Sequence, residues 1–191
     1  MIAPFEIQMC IERIALLGDM EAFEKLYYHY YKRLKRFAMA IVKNPESAEE
    51  IASDVFMILW KSRTRLLEIE NLNNYLYIAV RNLSLRQISK SQKINTFSID
   101  DIDFDLIPSY EHNPEQSLLN NELIRHMERA IEALPSRCKT IYKLVKQDGL
   151  KYKEIAVILH LSVKTIDAQM AIATKKISQS IRFHLPHCPS K

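Results

Sequence analysis

Glycine is scarce in this sequence, since Gly18 and Gly149 are the only two among 191 residues. Rossmann folds, P-loops and most sheet-rich enzymes need glycine at tight turns and wherever the backbone approaches a phosphate. The scarcity therefore argues against these folds and favours an all-α protein.

Long hydrophobic runs are also missing. Apolar stretches such as AMAIV at 38–42 are far shorter than the roughly 20 residues that span a membrane, and the N-terminus lacks the basic and then apolar pattern of a signal peptide. The three cysteines, Cys10, Cys138 and Cys188, are odd in number and far apart, which suits reduced thiols. We therefore expect a cytoplasmic protein without membrane insertion and without disulfides.

Residues of the types found in catalytic and metal sites do not form a familiar group. The sequence has no glycine-rich phosphate loop, no His and Cys pairs at zinc-finger spacing and no Cys/His dyad in a recognisable frame. His184, His187 and Cys188 are close enough in sequence to share a metal, but their position is more typical of a frayed C-terminal tail. We expect neither an enzyme nor a cofactor.

Charge is distributed unevenly along the chain. Residues 1–90 carry a net charge of +2, residues 91–117 carry −5, and residues 118–191 carry +7. The acidic middle segment contains Pro108, Pro114 and several Ser and Asn residues, a composition typical of a linker. The sequence therefore predicts two small helical domains, 1–90 and 118–191, joined by an acidic linker over 91–117.

Four helical patterns follow one another in the first domain. The first ends at Gly18, after which Asp19 can cap the second; Asn44, before a proline, marks the end of the second, and the third is predicted over about 46–66. Asn71 can cap the fourth. The apolar residues that recur at helical spacing predict the buried stripes of the second, third and fourth helices as Phe23, Leu26, Tyr27, Tyr30, Leu34, Phe37, Ala38 and Ile41, then Ala48, Ile51, Ala52, Val55 and Leu59, then Leu72, Tyr75, Leu76, Ala79, Val80 and Leu83.

Two features of this domain have more than one interpretation. The face of the fourth helix opposite its predicted stripe mixes an aromatic, aliphatic and basic residues, and it is either scattered surface, cover for the first helix or a contact surface: Asn74, Tyr77, Ile78, Arg81 and Leu85. Trp60 lies one step off the stripe of the third helix, so it is either the edge of the core or an exposed anchor for a partner.

The second domain contains the pattern of a helix-turn-helix over residues 152–177. Ala156 is small where two helices must cross closely, His160 stands at the turn position that often needs positive φ, and Ser162 can cap the second helix. The buried stripe of that second helix is predicted to be Val163, Ile166, Met170, Ala173 and Ile177.

The opposite face of the same helix combines small, polar and basic side chains. It comprises Lys164, Thr165, Ala168, Ala171, Ile172, Lys175 and Lys176, with Asp167 and Gln169 on its flanks. Small and polar residues let a helix enter a major groove, where threonine and alanine can pack on a thymine methyl and glutamine can pair with adenine, while lysines neutralise phosphates. An ordinary αα-hairpin with a solvated lysine face is the alternative interpretation.

These patterns resemble a known family. The run GLKYKEIAVILHLSVKTIDAQM, preceded by LPSRCKTIYKL, is similar to the promoter-binding C-terminal domain of bacterial RNA polymerase sigma factors, and also to response-regulator transcription factors. The N-terminal half distinguishes the two, because FEKLYYHYYKRLKRFAMAIVKNPESAEEIASDVFMILWKSR followed by NLNNYLYIAVRNLSL resembles the promoter-melting domain of the extracytoplasmic-function (ECF) sigma group. The resemblance covers about residues 19–180.

The resemblance implies a role for three sets of residues. Those expected to dock on the polymerase clamp are Asp54, Val55, Phe56, Leu59, Trp60 and Lys61. Those expected to meet the proximal promoter element where the strands separate are Asn71, Asn74, Tyr75, Tyr77, Arg81 and Asn82. Those expected to read the distal element on the recognition helix are Ser162, Lys164, Thr165, Asp167, Ala168, Gln169, Lys175 and Lys176.

The resemblance also implies the partners: the RNA polymerase core, promoter DNA and an anti-sigma factor. Two other kinds of protein remain as alternatives. One is a helix-turn-helix regulator that binds duplex DNA independently of polymerase, and the other is a helical adaptor that does not touch nucleic acid, which the +7 charge of the last block disfavours.

Overall fold

A computed structural model describes residues 3–92, 102 and 118–184, with side chains for 3–90, 102 and 125–181. Within these ranges the chain forms α-helices, one 3₁₀ helix and no strand, so the predicted all-α fold is confirmed. The helices are α1 (Pro4–Leu17), α2 (Met20–Val42), α3 (Pro45–Lys61), the 3₁₀ helix (Arg63–Glu68), α4 (Leu72–Gln92), α5 (Leu118–Glu132), α6 (Ser136–Lys146), α7 (Tyr152–Leu159) and α8 (Val163–His184).

The chain divides into two compact units, and the division falls between residues 97 and 98. This division falls inside the predicted linker, 91–117, and α4 continues two residues past the predicted end of the first domain. The predicted linker lies outside the described residues apart from Ile102, and so do the side chains of His184, His187 and Cys188. The exact domain limits stay predictions.

Capping residues set the helix ends of the first unit as the sequence predicts. Gly18 adopts φ +62° after α1, and the Asp19 carboxylate accepts a hydrogen bond from the Ala22 backbone N–H at 3.1 Å. Asn44, which was predicted only to end α2, also caps α3 in the same way through the Ser47 N–H at 2.7 Å. The third helix was predicted too long, because the chain tightens into the 3₁₀ helix after Lys61, where Leu66 is buried.

The core of the first unit lies where α2, α3 and α4 pack on one another, with α1 against α2 and the 3₁₀ helix. Side chains at helical spacing line it, including Leu26, Leu34 and Phe37 of α2 and Ala52, Val55 and Leu59 of α3, all of which are fully buried. The residues predicted to be buried on α2 and α3 are buried or half-buried throughout.

The second unit is built around α8, which packs on α5, α6 and α7. One of its core clusters consists of Ala130, Leu134, Cys138, Ala173 and Ile177, with Ile131, Tyr142 and Ile181 at its border. Ile102, only 1% exposed, also belongs to this unit, and its carbonyl accepts a hydrogen bond from the Ser136 hydroxyl at 3.1 Å. Among the described residues no single helix is long and apolar enough to cross a membrane, and the bent pair α7 and α8 meets that test only together.

Candidate nucleic-acid interface

The pair α7 and α8 forms the helix-turn-helix that the sequence predicts. The chain changes direction by 111° between the two helices, within the range typical of this motif. His160 takes φ +54° at the turn, and the Leu161 N–H donates to the Ala156 carbonyl at 2.9 Å, which closes it. Ala156 is buried at the crossing, as predicted.

The start of α8 is fixed by Ser162. Its Oγ accepts a hydrogen bond from the Thr165 backbone N–H at 3.0 Å and lies 2.8 Å from the Thr165 hydroxyl. Because the two hydroxyls are hydrogen-bonded to each other, Thr165 has its methyl group left for an apolar contact. The predicted capping role of Ser162 is confirmed.

One face of α8 is buried and the other is exposed. Ile166, Met170, Ala173 and Ile177 are buried, as predicted, but Val163 is 44% exposed, so its placement in the core is wrong. Val163 is the first residue of α8. Side chains of a helix tilt towards its N-terminus, and no earlier turn of α8 is there to cover this one.

The exposed face of α8 carries five of the residues predicted to contact DNA: Lys164, Asp167, Ala168, Lys175 and Lys176. Thr165 and Gln169 are half-buried at its border. Within the described part of the chain the three lysines form no ion pair, so their charges are available to an external anion. The surface is a narrow strip of small side chains with cations at both ends, which suits a helix lying in a major groove.

The buried side of α4 includes Leu72, Leu76 and Val80, as predicted, but it is wider than the predicted stripe. Tyr77 was predicted to face outward, but it is 1% exposed and its ring lies 5.2 Å from that of Phe37 on α2, so this prediction is wrong. Ser84 is buried on the same side, whereas Tyr75, predicted to be core, is half-buried. The helix packs against both α2 and α3, and this double contact turns Tyr77 inward.

Other residues predicted for the proximal element form an exposed strip on α4. Asn82 is exposed, and Asn74, Tyr75 and Arg81 are half-buried. Burial lowers the pKa of the Arg81 guanidinium, although it stays charged at neutral pH. Asn71 has a structural role as well, since its side chain caps α4 through the Asn74 N–H at 2.9 Å.

The helix predicted to dock on the polymerase has a buried and an outer face. Val55, Phe56 and Leu59 of the predicted set are buried in the core, so only the rest of the set offers side-chain surface to a partner. Asp54 and Lys61 are exposed. Sequence reasoning missed Met57 and Ile58, which are 53% and 41% exposed and form an apolar patch on the same outer face. The signal that could have found them is their position off the buried stripe of α3.

Trp60 lies between the core and the surface. Its half-buried ring packs edge-on against Phe23, with ring centroids 4.9 Å apart, and the Arg63 guanidinium lies 4.9 Å from its centroid. Arg63 also donates to the Trp60 carbonyl at 3.2 Å. Of the two interpretations that periodicity left open, the structure therefore places Trp60 at the edge of the core, with part of the ring still accessible.

Comparison with protein families places all three surfaces in matched segments. Residues 26–94 match the family described as Sigma-70 region 2, and residues 124–177 match Sigma-70, region 4. Together these segments make up well over half of the chain, and they contain α3, α4 and the exposed part of α8. The match to region 2 disfavours a polymerase-independent regulator.

Individual relatives agree with the family matches. The chain is 24% identical over 181 residues to the ECF RNA polymerase sigma-E factor of Escherichia coli K12, covering 92% of this chain and 94% of the relative. It is 21% identical over 165 residues to the ECF RNA polymerase sigma factor SigE of Mycolicibacterium smegmatis, covering 86% of this chain but 63% of that relative's length.

A solved structure shares the fold. It is the sigma factor RpoE of Bartonella quintana, in complex with the anti-sigma factor NepR. The TM-score is 0.53 at 20% identity, and the match covers 85% of this chain and 98% of the other.

Proposed function

Since the chain belongs to the ECF group of sigma-70 RNA polymerase sigma factors, we propose that its two units contact promoter DNA at two separate elements while α3 binds the polymerase core. The observation that supports this division most strongly is the outward strip of α8, where small side chains lie between lysines that have no ion pair in the described part of the chain. A helix of this kind contacts DNA without any catalytic group.

The recognition helix α8 is proposed to read the distal promoter element. Lys164, Lys175 and Lys176 contact phosphates, and Thr165 and Ala168 pack on base edges, where a methyl and a small side chain favour thymine. Thr165 suits this role because its hydroxyl is already bonded to Ser162, which leaves its methyl group for the base edge. Asp167 lies among the cations and would repel phosphates, so it restricts how the helix enters the groove.

The exposed strip of α4 is proposed to meet the proximal element where the strands separate. Melting needs preferential binding of unstacked bases, at roughly 1 to 3 kcal/mol per base stacked on an aromatic ring. Tyr75 is the half-buried aromatic residue suited to this role, Arg81 supplies charge, and Asn74 and Asn82 supply hydrogen bonds. Tyr77 is proposed to act from inside the core, by holding α4 against Phe37.

The outer face of α3 is proposed to dock on the polymerase. It combines the apolar patch of Met57 and Ile58 with the accessible part of Trp60 and with charges of opposite sign, Asp54 and Lys61. Binding hot spots favour an apolar anchor that becomes buried when the partner binds, with a polar rim around it.

The partners that follow are the RNA polymerase core and promoter DNA. An anti-sigma factor is a further proposed partner, because the similar RpoE of Bartonella quintana binds NepR. The chain is a transcription initiation factor, and we propose that it has no enzymatic activity or cofactor of its own and that it works in the cytoplasm.

Transcription in vitro tests the proposal. Bacterial core polymerase is incubated with and without the chain on a promoter library in which both elements are randomised. We expect transcription from a defined subset of promoters only when the chain is present, with no retention of promoter duplex by the chain alone. Binding to a duplex site without polymerase would support a conventional regulator, and the absence of binding to either would support an adaptor.

A further inference from the structure

A contact between two helices of the second unit involves the recognition helix directly. Cys138 of α6 is 2% exposed, and its Sγ donates a hydrogen bond to Oε1 of Gln169 on α8 across 2.8 Å. Gln169 lies one helical turn before Ala173, which belongs to the same buried cluster as Cys138. The Gln169 side chain is therefore held at the border between the core and the exposed strip of α8.

The thiol can act as the donor because it stays protonated at neutral pH. Burial raises the pKa of Cys138, and the nearby charges of Lys176 and Arg137 only partly oppose this effect. Cys138 is a free thiol, and its apolar surroundings limit reaction with solutes. A protonated thiol is a weak donor that favours the amide oxygen as its acceptor.

This bond determines which end of the glutamine amide is available to a partner. A glutamine that pairs with adenine in a bidentate manner must present both its oxygen and its nitrogen to the base. The Gln169 oxygen is bonded to Cys138 of α6, so the NH₂ group is the end of the amide that is left for a partner. The side chain then offers donors alone.

We propose that Cys138 is a positioning residue, which orients Gln169 so that its amide donates to base-edge acceptors and does not form the bidentate pair with adenine. The proposal rests on the function proposed for α8. In the major groove guanine presents two acceptors and thymine one, whereas cytosine presents a donor. Gln169 held in this way favours guanine or thymine at its position and rejects cytosine.

Promoter selection by holoenzyme tests the inference. Core polymerase carrying the wild type, Cys138→Ser, Cys138→Val, Cys138→Ala or Gln169→Ala selects promoters from a library randomised in the distal element, and thermal unfolding of each variant is recorded. Serine keeps a donor at the same place. Valine and alanine both remove the donor, and valine is larger than cysteine whereas alanine is smaller. A change that both variants share therefore does not come from a cavity or from crowding.

The expected result is a change at one base position. Wild type and Cys138→Ser select guanine or thymine there, both Cys138→Val and Cys138→Ala shift towards adenine by about tenfold, the size of one good base contact, and Gln169→Ala loses the preference. The inference is overturned if Cys138→Val and Cys138→Ala select the wild-type sequence, or if Gln169→Ala changes nothing. If wild-type holoenzyme transcribes no promoter at all, the proposed function fails first and the inference fails with it.

Discussion

Ser162 and Thr165 are joined twice, through the cap bond from the Thr165 N–H at 3.0 Å and through their hydroxyls at 2.8 Å. Ser162 therefore both starts the recognition helix and orients Thr165, at the border of its exposed face. The cap satisfies a backbone N–H that has no partner within the helix. Substitutions that keep or remove a capping group at position 162 can therefore separate helix stability from promoter binding.

We expect Ser162→Ala to lower the free energy of unfolding by about 1 kcal/mol, the usual cost of a lost N-cap. Ser162→Asp should keep the stability, because aspartate also caps and favours the positive helix N-terminus, but it should weaken promoter binding through repulsion of phosphates. Chemical unfolding and promoter binding by holoenzyme measure the two effects. Equal promoter affinity of Ser162→Asp and wild type would place Ser162 away from the DNA.

The lysines and the small residues of α8 should differ in how they affect promoter binding. Lys164→Ala should weaken binding to all distal elements alike and reduce the salt dependence by about one counterion. Ala168→Leu should change the selected sequence, because a larger side chain cannot approach the same base edge. Promoter selection and salt titration with holoenzyme measure these effects, with Lys146→Ala, an exposed lysine outside α8, as the control.

If Lys164→Ala alters the selected sequence while Ala168→Leu leaves it unchanged, the assignment of positioning and reading residues on α8 is wrong.

Trp60→Ala should lower affinity for core polymerase by at least about 2 kcal/mol, as truncation of a hot-spot residue does. It should also lower the stability of the first unit, because the ring packs on Phe23. Met57→Ala separates the two effects, since Met57 is 53% exposed and its loss should weaken polymerase binding with unchanged stability. Leu16→Ala, an exposed apolar residue of α1, is the matched control.

Binding to core polymerase is measured by competition against the wild type. Wild-type affinity of both Trp60→Ala and Met57→Ala would remove α3 from the polymerase interface.

Tyr77→Ala should destabilise the first unit by about 3 to 5 kcal/mol, because it empties a site for a large aromatic ring in the core. Tyr77→Phe keeps the ring against Phe37 and should leave the selected promoter sequence unchanged. Unfolding by denaturant and promoter selection give the two values. A changed proximal element with Tyr77→Phe would show that the tyrosine hydroxyl reaches DNA.

The stability of the first unit should fall as the pH drops from 6.5 to 4. Burial, assisted by the charge of Arg33, lowers the pKa of His29 from 6.5 to about 4, and the Arg33 guanidinium lies 3.1 Å from its ring. The unfolded chain therefore binds a proton in this window that the folded chain refuses, so unfolding becomes easier with acid. His29→Gln should flatten the pH profile of the melting temperature across this window, and an unchanged profile would assign the pH dependence to other groups.

Periodicity and capping residues determined most of the fold from the sequence alone. Gly18, Asp19, Asn44 and Asn71 end or begin helices through bonds within a few residues, so local rules were sufficient. The helix-turn-helix was equally local, because one capping serine and one positive-φ turn residue connect its two short helices.

Tertiary packing decided which side chains are available to partners. Tyr77 is buried because α4 packs against α2, where its ring meets that of Phe37, whereas Met57 and Ile58 remain exposed although α3 also packs against two helices, because they lie off its buried stripe. Cys138 and Gln169 are 31 residues apart in sequence, and only the crossing of α6 and α8 brings them together. A helical pattern records the angle of each residue around the helix axis, but which of these angles are covered depends on where the neighbouring helices pack, which is a property of the folded chain.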